Sequence, residues 1–497
     1  MKERLDMDGL SREFLAMEVE LGLFARRIGD VHYWRMVRFS LLNNILMPLL
    51  IPVSDPHPDM RMAKRHGIRR ALGKVSAAFA GVRDRLMHNP EVFGGKTPLL
   101  FALEPRQATL PDGRRVSLML DFLLPRLSNA YAVLQFPSGG VYGVKGANHR
   151  VFRLDAAETE ERRSFARGLT EADARAVAAE AALLSGVIRE RWNVSVAGNA
   201  IGSFIGKILL IHRARLEVFR RWLTKLEVKC VVTSVHYDIS NLILAEAAHG
   251  MGVQVAELQH GTVFKAHAAY NLPVRDDLMS PDWFCAWGPY WTTQMSNYAV
   301  RGNKLMGYPY FDYFKERYPR IPHPGRSCVV VVSQGTIGME LSRFAVELAE
   351  LLPQDGFEVV FKLHPSESRT WRNLYPWLEG SRVEVISNVQ KNIYACFAEA
   401  DFVVGVYSTS IVEAVAWGLK AFVVRGLPGW DTMKPFVDRG YVETVDTAKE
   451  LSGRIAVGEA RGRSVAVEEL WMPDSSRRLA AFLDGLAEGK CQEGEVP

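Results

Sequence analysis

Three short segments carry residue types at spacings that suit group transfer. The first is Glu257-Leu258-Gln259-His260-Gly261-Thr262. It follows a run that reads as a buried strand, so His260 falls at a sheet edge, and Gly261 permits a tight turn that a side chain would block. A neutral imidazole there suits removal of a proton from a hydroxyl. The plainer alternative is a structural histidine bonded to nearby backbone. The second segment is Lys362-Leu363-His364-Pro365. Alternation puts Lys362 and His364 on one side of a strand, and Pro365 ends it. Two such donors suit a diphosphate; a solvated Lys–His pair is the alternative. The third is Tyr407-Ser408-Thr409-Ser410 with Glu413 beyond it. Small hydroxyls opening a helix, with its free N–H groups and positive dipole end, bind anions. Ser410 with Glu413 is also a capping-box pattern, and Glu413 could instead bond ribose hydroxyls.

Other residues carry weaker signals. Ser333-Gln334-Gly335-Thr336 forms a glycine turn after a strand, where Ser333 and the Gly335 backbone could meet phosphate or acceptor. His236 and Asp238 follow another strand; Asp238 is a possible second base, equally explained as a helix N-cap. His267 and Tyr270 follow the His260 loop and could line an acceptor side. No P-loop, H-E-x-x-H, G-x-S-x-G, EF-hand or G-x-G-x-x-G pattern occurs. D-x-D occurs only at Asp6-Met7-Asp8, away from any sheet edge, so no metal site is expected. A leaving diphosphate would then be neutralised by Lys, His, hydroxyls and a helix N-terminus.

The elements that must position these groups alternate. TPLLFALEP and AYAVLQF, then 228–235, 253–258, 283–288 and 304–309, read as strands; 170–225 and 239–250 read as helices. After the Pro-rich stretch Tyr308 to Arg326 the alternation restarts, with strands at 327–335, 357–365, 383–388, 401–408 and 420–426. Strands alternating with helices imply parallel sheets with crossover connections. The expected architecture is α/β: a helical segment over 1–95, a Rossmann-like domain over 96–310, a second over 311–475, and a helix with tail over 476–497. In the first segment Trp34, Val37, Leu41 and Ile45 keep helical spacing, with Pro48 and Pro52 ending it. Ligands of such sheets bind at the C-terminal strand edges, hence in the cleft between the domains.

Bulk properties agree. The chain has 497 residues, 48% hydrophobic and 24% charged, with a net charge of +5. That excludes a disordered chain and a dedicated nucleic-acid binder, and suits an anionic small ligand or membrane surface. Five scattered cysteines with no C-x-x-C pair read as buried hydrophobes in a reducing cytoplasm. The apolar run Leu41–Val53 is too short to span a bilayer, which needs about 20 residues. From Arg61 to Arg85 eight basic residues accompany one acid. This stretch is either a solvated helix face or a contact with the anionic inner face of the cell membrane.

Taken together, the His-Gly-Thr segment, the Lys362–Pro365 segment and the Ser408–Ser410 cluster resemble the bacterial GT-B transferases of surface polysaccharides. Two groups look alike here. One is the capsule and lipopolysaccharide transferases, including HP-motif sialic acid and Kdo transferases. The other is the teichoic-acid CDP-glycerol glycerophosphotransferases. The run from Trp287-Gly288 to Gly307-Tyr308-Pro309 is similar to the GT-B interdomain crossover. The resemblance covers about 228–430. It departs in Leu-Gln-His-Gly-Thr-Val, where the glycerophosphotransferases have Trp-His-Gly-Thr-Pro, and in Val406-Tyr407, where they carry an acid.

The resemblance implies transfer of a sugar from a CMP-, CDP- or UDP-linked donor to a glycan or lipid-linked acceptor, without metal or cofactor. His364 would contact donor phosphate, Ser408 and Ser410 would hold the diphosphate, and His260 would be the base of an inverting reaction. The alternatives are polyol-phosphate transfer, a nucleotide-sugar 2-epimerase, which needs extra carboxylates in the cleft, and an inactive scaffold.

Overall fold

The computed structural model describes residues 7–51, 88–93, 95–103, 107–110, 113–135, 149–321, 325–456 and 467–490. The basic stretch 61–85 and Asp6 lie outside the described residues. In chain order the first half carries β1 (Leu99–Leu103), a hairpin of β2 (Gln107–Thr109) and β3 (Arg115–Ser117), β4 (Tyr131–Gln135), β5 (His149–Arg153), β6 (Cys230–Thr233), β7 (Gln254–Leu258), β8 (Trp283–Ala286) and β9 (Gly302–Leu305). The second half carries β10 (Ser327–Val332), β11 (Phe357–Lys362), β12 (Val383–Ile386), β13 (Phe402–Gly405), β14 (Lys420–Val424) and β15 (Glu443–Val445).

These strands build two wholly parallel sheets, ordered β5-β4-β1-β6-β7-β8-β9 and β12-β11-β10-β13-β14-β15. Strands such as Cys230–Thr233 are buried along their length because helices cover both faces. This is the expected pair of Rossmann-like domains in GT-B arrangement, with a helical N-terminal region. Each sheet winds one way from its first strand and then the other. The winding reverses between β1 and β6 in one domain and between β10 and β13 in the other. Ligand crevices form at such reversals.

Several sequence expectations shift. β9 starts at Gly302 and is over by Leu305, and Gly307 turns the chain at φ +76. The Pro-rich stretch is not all linker: Pro309–Arg317 is a helix, with Pro309 at its first position where no N–H is needed. Likewise Pro48 opens the short helix Met47–Leu50 rather than ending one. Before it, helix Trp34–Ser40 runs into a π-helical turn, Leu41–Leu46. The wider turn rotates the face, so Leu46 is buried where straight helical spacing points to Ile45.

The N-terminal helices are part of the first domain's core. Leu10, Phe14, Trp34 and Val37 pack with Leu100, Ala132 and Val255 on one face of the sheet. Arg38 is buried against Glu18, with Nε to Oε1 at 2.6 Å and Nη2 to Oε2 at 2.8 Å. Helix Met7–Glu20 also packs against the short helix Trp430–Met433 of the second domain.

An aromatic junction joins the domains. Trp287 stacks on Trp471 at 4.8 Å and on Tyr308 at 5.0 Å, and Phe311 stacks on Trp471 at 4.2 Å. Both chain crossings pass here. Met472 N–H donates to Trp287 O, and Ser475 N–H donates to Asp312 Oδ2 at 2.8 Å. Gly288 and Gly307 are required by this closeness. A Cβ on Gly288 would stand 2.6 Å from Glu469 O, and one on Gly307 would overlap Met472 O. The last helix, Ser475–Ala487, returns to the first domain. Asp484 accepts from the Ser128 and Asn129 N–H groups, and Phe482 packs edge-on against Trp283.

Candidate active-site cleft

In the first domain, His260 leaves the end of β7 with its side chain 6% exposed. Its Nδ1 accepts the Val235 backbone N–H at 3.2 Å. A backbone N–H only donates, so the neutral ring carries its proton on Nε2. That nitrogen lies 3.3 Å from the Tyr237 hydroxyl, while the Tyr270 hydroxyl lies 3.2 Å from Nδ1. The ring therefore faces its surroundings as a donor, which differs from the expected proton acceptor.

Val235 reaches His260 from a strained backbone. Its φ is +51, unusual for a β-branched residue. Asn241 holds it there, donating to Ser234 O at 2.9 Å and Val235 O at 3.2 Å. Below lies Glu257, fully buried. It accepts from Tyr298 Oη at 2.5 Å and His236 N at 3.2 Å, and Tyr270 Oη is 3.4 Å away. Burial pushes its carboxyl up to about 7. Glu257 thus fixes the rings that surround His260.

The other first-domain candidates have diverse placements. His236 is fully buried, bonded to Thr233 Oγ1 at 3.0 Å and Met279 O at 2.6 Å, and burial pushes it down to about 3. It is a core residue and does not line the cleft. Asp238 is exposed and caps helix Ile239–His249 by accepting from Ser240 N. Tyr270 is buried beside Glu257 and His260. His267 stacks on Phe39 at 5.9 Å and 7° and is flanked by Tyr270 at 4.9 Å. Burial pushes His267 down to about 4, so its ring is neutral, and its Nδ1 has no hydrogen-bond partner. Arg38 fixes this loop from the N-terminal helices by donating to Ala268 O and Asn271 O.

In the second domain, the loops after β10, β11 and β13 converge, since these strands are neighbours. Ser408 caps helix Thr409–Ala416 by accepting from Ser410 N, so the cap lies two residues before the expected Ser410. Gln334 ties two loops together: its Nε2 donates to Tyr407 O at 3.0 Å and its Oε1 accepts Tyr407 N at 3.2 Å. Thr336 Oγ1 bonds the Tyr407 hydroxyl. Glu367 ties the third. It accepts Ser333 Oγ at 3.0 Å, Tyr375 Oη at 2.6 Å and His364 N at 2.7 Å. Gly335 packs against the same loop; a Cβ there would stand 3.5 Å from Ser366 Oγ.

Lys362 and His364 part company. His364 is exposed beyond the strand end, its Nδ1 2.7 Å from Ser366 Oγ. Lys362 is buried, bonded to Asn388 Oδ1, and desolvation pushes it down to about 8. The strand ends at Lys362, so the alternation that would put both on one open side stops there. Glu413 is buried on the inner face of its helix, hydrogen-bonded to Tyr394, and burial raises it to about 7. It forms no capping box.

A cavity of about 270 Å³ is shared by both domains. The first domain supplies His260, Gly261, Thr262 and His267, and the second supplies Thr409. Ser11 and Asn43 of the N-terminal helices complete it. None of its described lining residues is Asp, Glu, Lys or Arg. No group of side chains suited to a metal ion exists among the described residues. No described helix is long and apolar enough to cross a membrane.

Sequence reasoning missed Glu367, Tyr237 and Ser11, and it gave Gln334 a place in the glycine turn but no role. Glu367 stands three residues after His364, and only its burial marks it. The contribution of 7–51 carried no sequence signal beyond helical periodicity.

No protein-family profile matches the chain, and no curated protein matches it. Solved structures with a similar chain course include a UDP-N-acetylglucosamine 2-epimerase, 13% identical, covering 80% of this chain and 98% of that one, with a TM-score of 0.48. The UDP-GlcNAc 2-epimerase from Methanocaldococcus jannaschii is 11% identical over 78% of this chain and 99% of its own, with a TM-score of 0.45. MurG from Acinetobacter baumannii is 13% identical over 78% and 99%, with a TM-score of 0.43. The likeness is one of fold.

Proposed function

We propose that the protein is a nucleotide-sugar-dependent glycosyltransferase working without a metal in its interdomain cleft. One observation carries this reading: the first domain's two histidines and Thr409, the first residue of helix Thr409–Ala416 in the second domain, line one cavity. The donor diphosphate lies against Ser408, Thr409 and Ser410, whose hydroxyls, with the positive end of the helix they open, offset its charge. His364 and the Ser333–Gly335 turn stand at adjacent strand ends and bind its outer oxygens. The acceptor enters from the first domain. His260 donates its Nε2–H to the acceptor oxygen and orients it. His267, neutral and unpartnered at Nδ1, takes the hydroxyl proton; its lowered pKa makes it as weak a base as a carboxylate. The oxygen attacks the anomeric carbon as the bond to the diphosphate breaks, with inversion. Lys362 and Glu413 support the loops from beneath.

No described residue of the cavity wall is a carboxylate, which favours transfer over 2-epimerisation. The acceptor we favour is a growing cell-surface glycan, lipid-linked and met at the membrane's inner face through the basic stretch 61–85. A thermal-shift screen against CMP-, CDP-, UDP- and GDP-linked sugars tests the reading, since a ligand of the folded state raises its melting temperature. A shift with one nucleotide class is expected. No shift with any of them would overturn the proposal in favour of a scaffold.

A further inference from the structure

Residues 7–51 carry a second observation, separate from the donor loops. Two buried polar atoms at the shared cavity have no hydrogen-bond partner, Ser11 Oγ and His267 Nδ1. Ser11 is 1% exposed, on helix Met7–Glu20. A buried hydroxyl without a partner costs free energy, so one is kept where a ligand completes it. Leu42, Asn43 and Met47 line the same space. They project from the π-helical turn and the helix after it, and such turns recur at functional sites.

The wall mixes polar and apolar groups. It combines hydroxyl, amide and imidazole groups with the apolar side chains of Leu42, Met47 and Phe264, and none of its described residues is charged. Pyranose rings match that mixture, with hydroxyls at their edges and C–H groups on their faces. Away from the helix end at Thr409, a phosphate or carboxylate entering here would be buried with no countercharge among the described residues.

We infer that the N-terminal helices build a subsite for an uncharged sugar unit of the acceptor, held through Ser11 Oγ and His267 Nδ1. This rests on the transferase reading for the word acceptor, but not for the chemistry of the pocket. It excludes polyol phosphates and acidic sugars as the unit bound here.

Saturation-transfer NMR on the full chain tests it. The probes are the methyl glycosides of glucose, galactose and N-acetylglucosamine, set against methyl glucuronide and glycerol 3-phosphate. The wild type is expected to bind a neutral glycoside and neither anion. Ser11→Ala should weaken that binding by about tenfold, the worth of one hydrogen bond. Its melting temperature should not fall, because the hydroxyl has no partner to lose. Asn43→Trp, filling the cavity from a half-buried position, should abolish glycoside binding.

Equal binding by all three proteins would overturn the subsite, as would preference for an anion or no glycoside binding by the wild type. Nucleotide thermal shifts on the same samples separate the two readings. Ser11-dependent glycoside binding by a chain that binds no nucleotide supports the subsite while removing the transferase.

Discussion

The Val235 backbone N–H donates to Nδ1 of His260, and that one bond sets which nitrogen of the ring carries a proton. The expected consequence is an Nε2–H tautomer, visible in nitrogen NMR of the ring. A glutamine places its amide nitrogen near Nε2 and an asparagine near Nδ1. His260→Gln should therefore keep more transfer activity than His260→Asn. The reverse order would return His260 to the role of base. His260→Ala leaves Val235 N–H buried without a partner and should cost about 1–3 kcal/mol in denaturant unfolding.

His267 answers the complementary question. His267→Asn keeps an amide near Nδ1 and should preserve acceptor KM while kcat falls. His267→Leu should lose both. Full kcat in His267→Leu would remove it from the chemistry.

Donor binding should separate capping from contact. Ser408→Ala removes the helix cap and should cost about 1 kcal/mol of stability together with weaker nucleotide binding. His364→Ala should weaken nucleotide binding in calorimetry and leave the melting temperature unchanged, because the ring is exposed.

Glu257 gives a pH signature. Its folded pKa is raised from 4.5 to about 7 by burial. The folded chain holds a proton that the unfolded chain releases between these values. The resulting stability is complete below 4.5 and lost as pH rises through 7. Glu257→Gln carries no such loss. Its stability relative to wild type should rise from about pH 5 to about pH 8 in denaturant titrations. Taking the difference also removes His236 and His267, which burial pushes the other way. A flat difference would mean that Glu257 is not buried neutral.

The junction predicts the largest structural cost. Gly307→Ala adds a Cβ onto Met472 O at φ +76, and should destabilise by several kcal/mol. Calorimetry should show the single transition lowered or split.

Much of the fold was legible because parallel strands are buried on both faces and read as unbroken apolar runs, as in Ser327–Val332. His149–Arg153 and Glu443–Val445 escaped notice: each is an edge strand with polar residues, and Glu443–Val445 is only three residues long. The three chemical segments were legible because each sits at a strand end, where types and turn residues coincide. Their roles were less so. His236 and His260 are the same residue type after neighbouring strands. One is sealed against Met279 O and the other opens onto the cleft, and only tertiary burial decides which. Lys362 shows the same limit: alternation gave its side but not the depth at which Asn388 covers it.

The return of helix Ser475–Ala487 to the first domain has a consequence for biosynthesis. Phe482, which packs on Trp283, and Asp484, which accepts from the Ser128 and Asn129 N–H groups, are made only after the whole second domain. The first domain therefore waits, with part of its surface uncovered, until nearly the last residues are made. A chain stalled after Ala456 would carry a folded second domain beside an unfinished first one, an open target for chaperones.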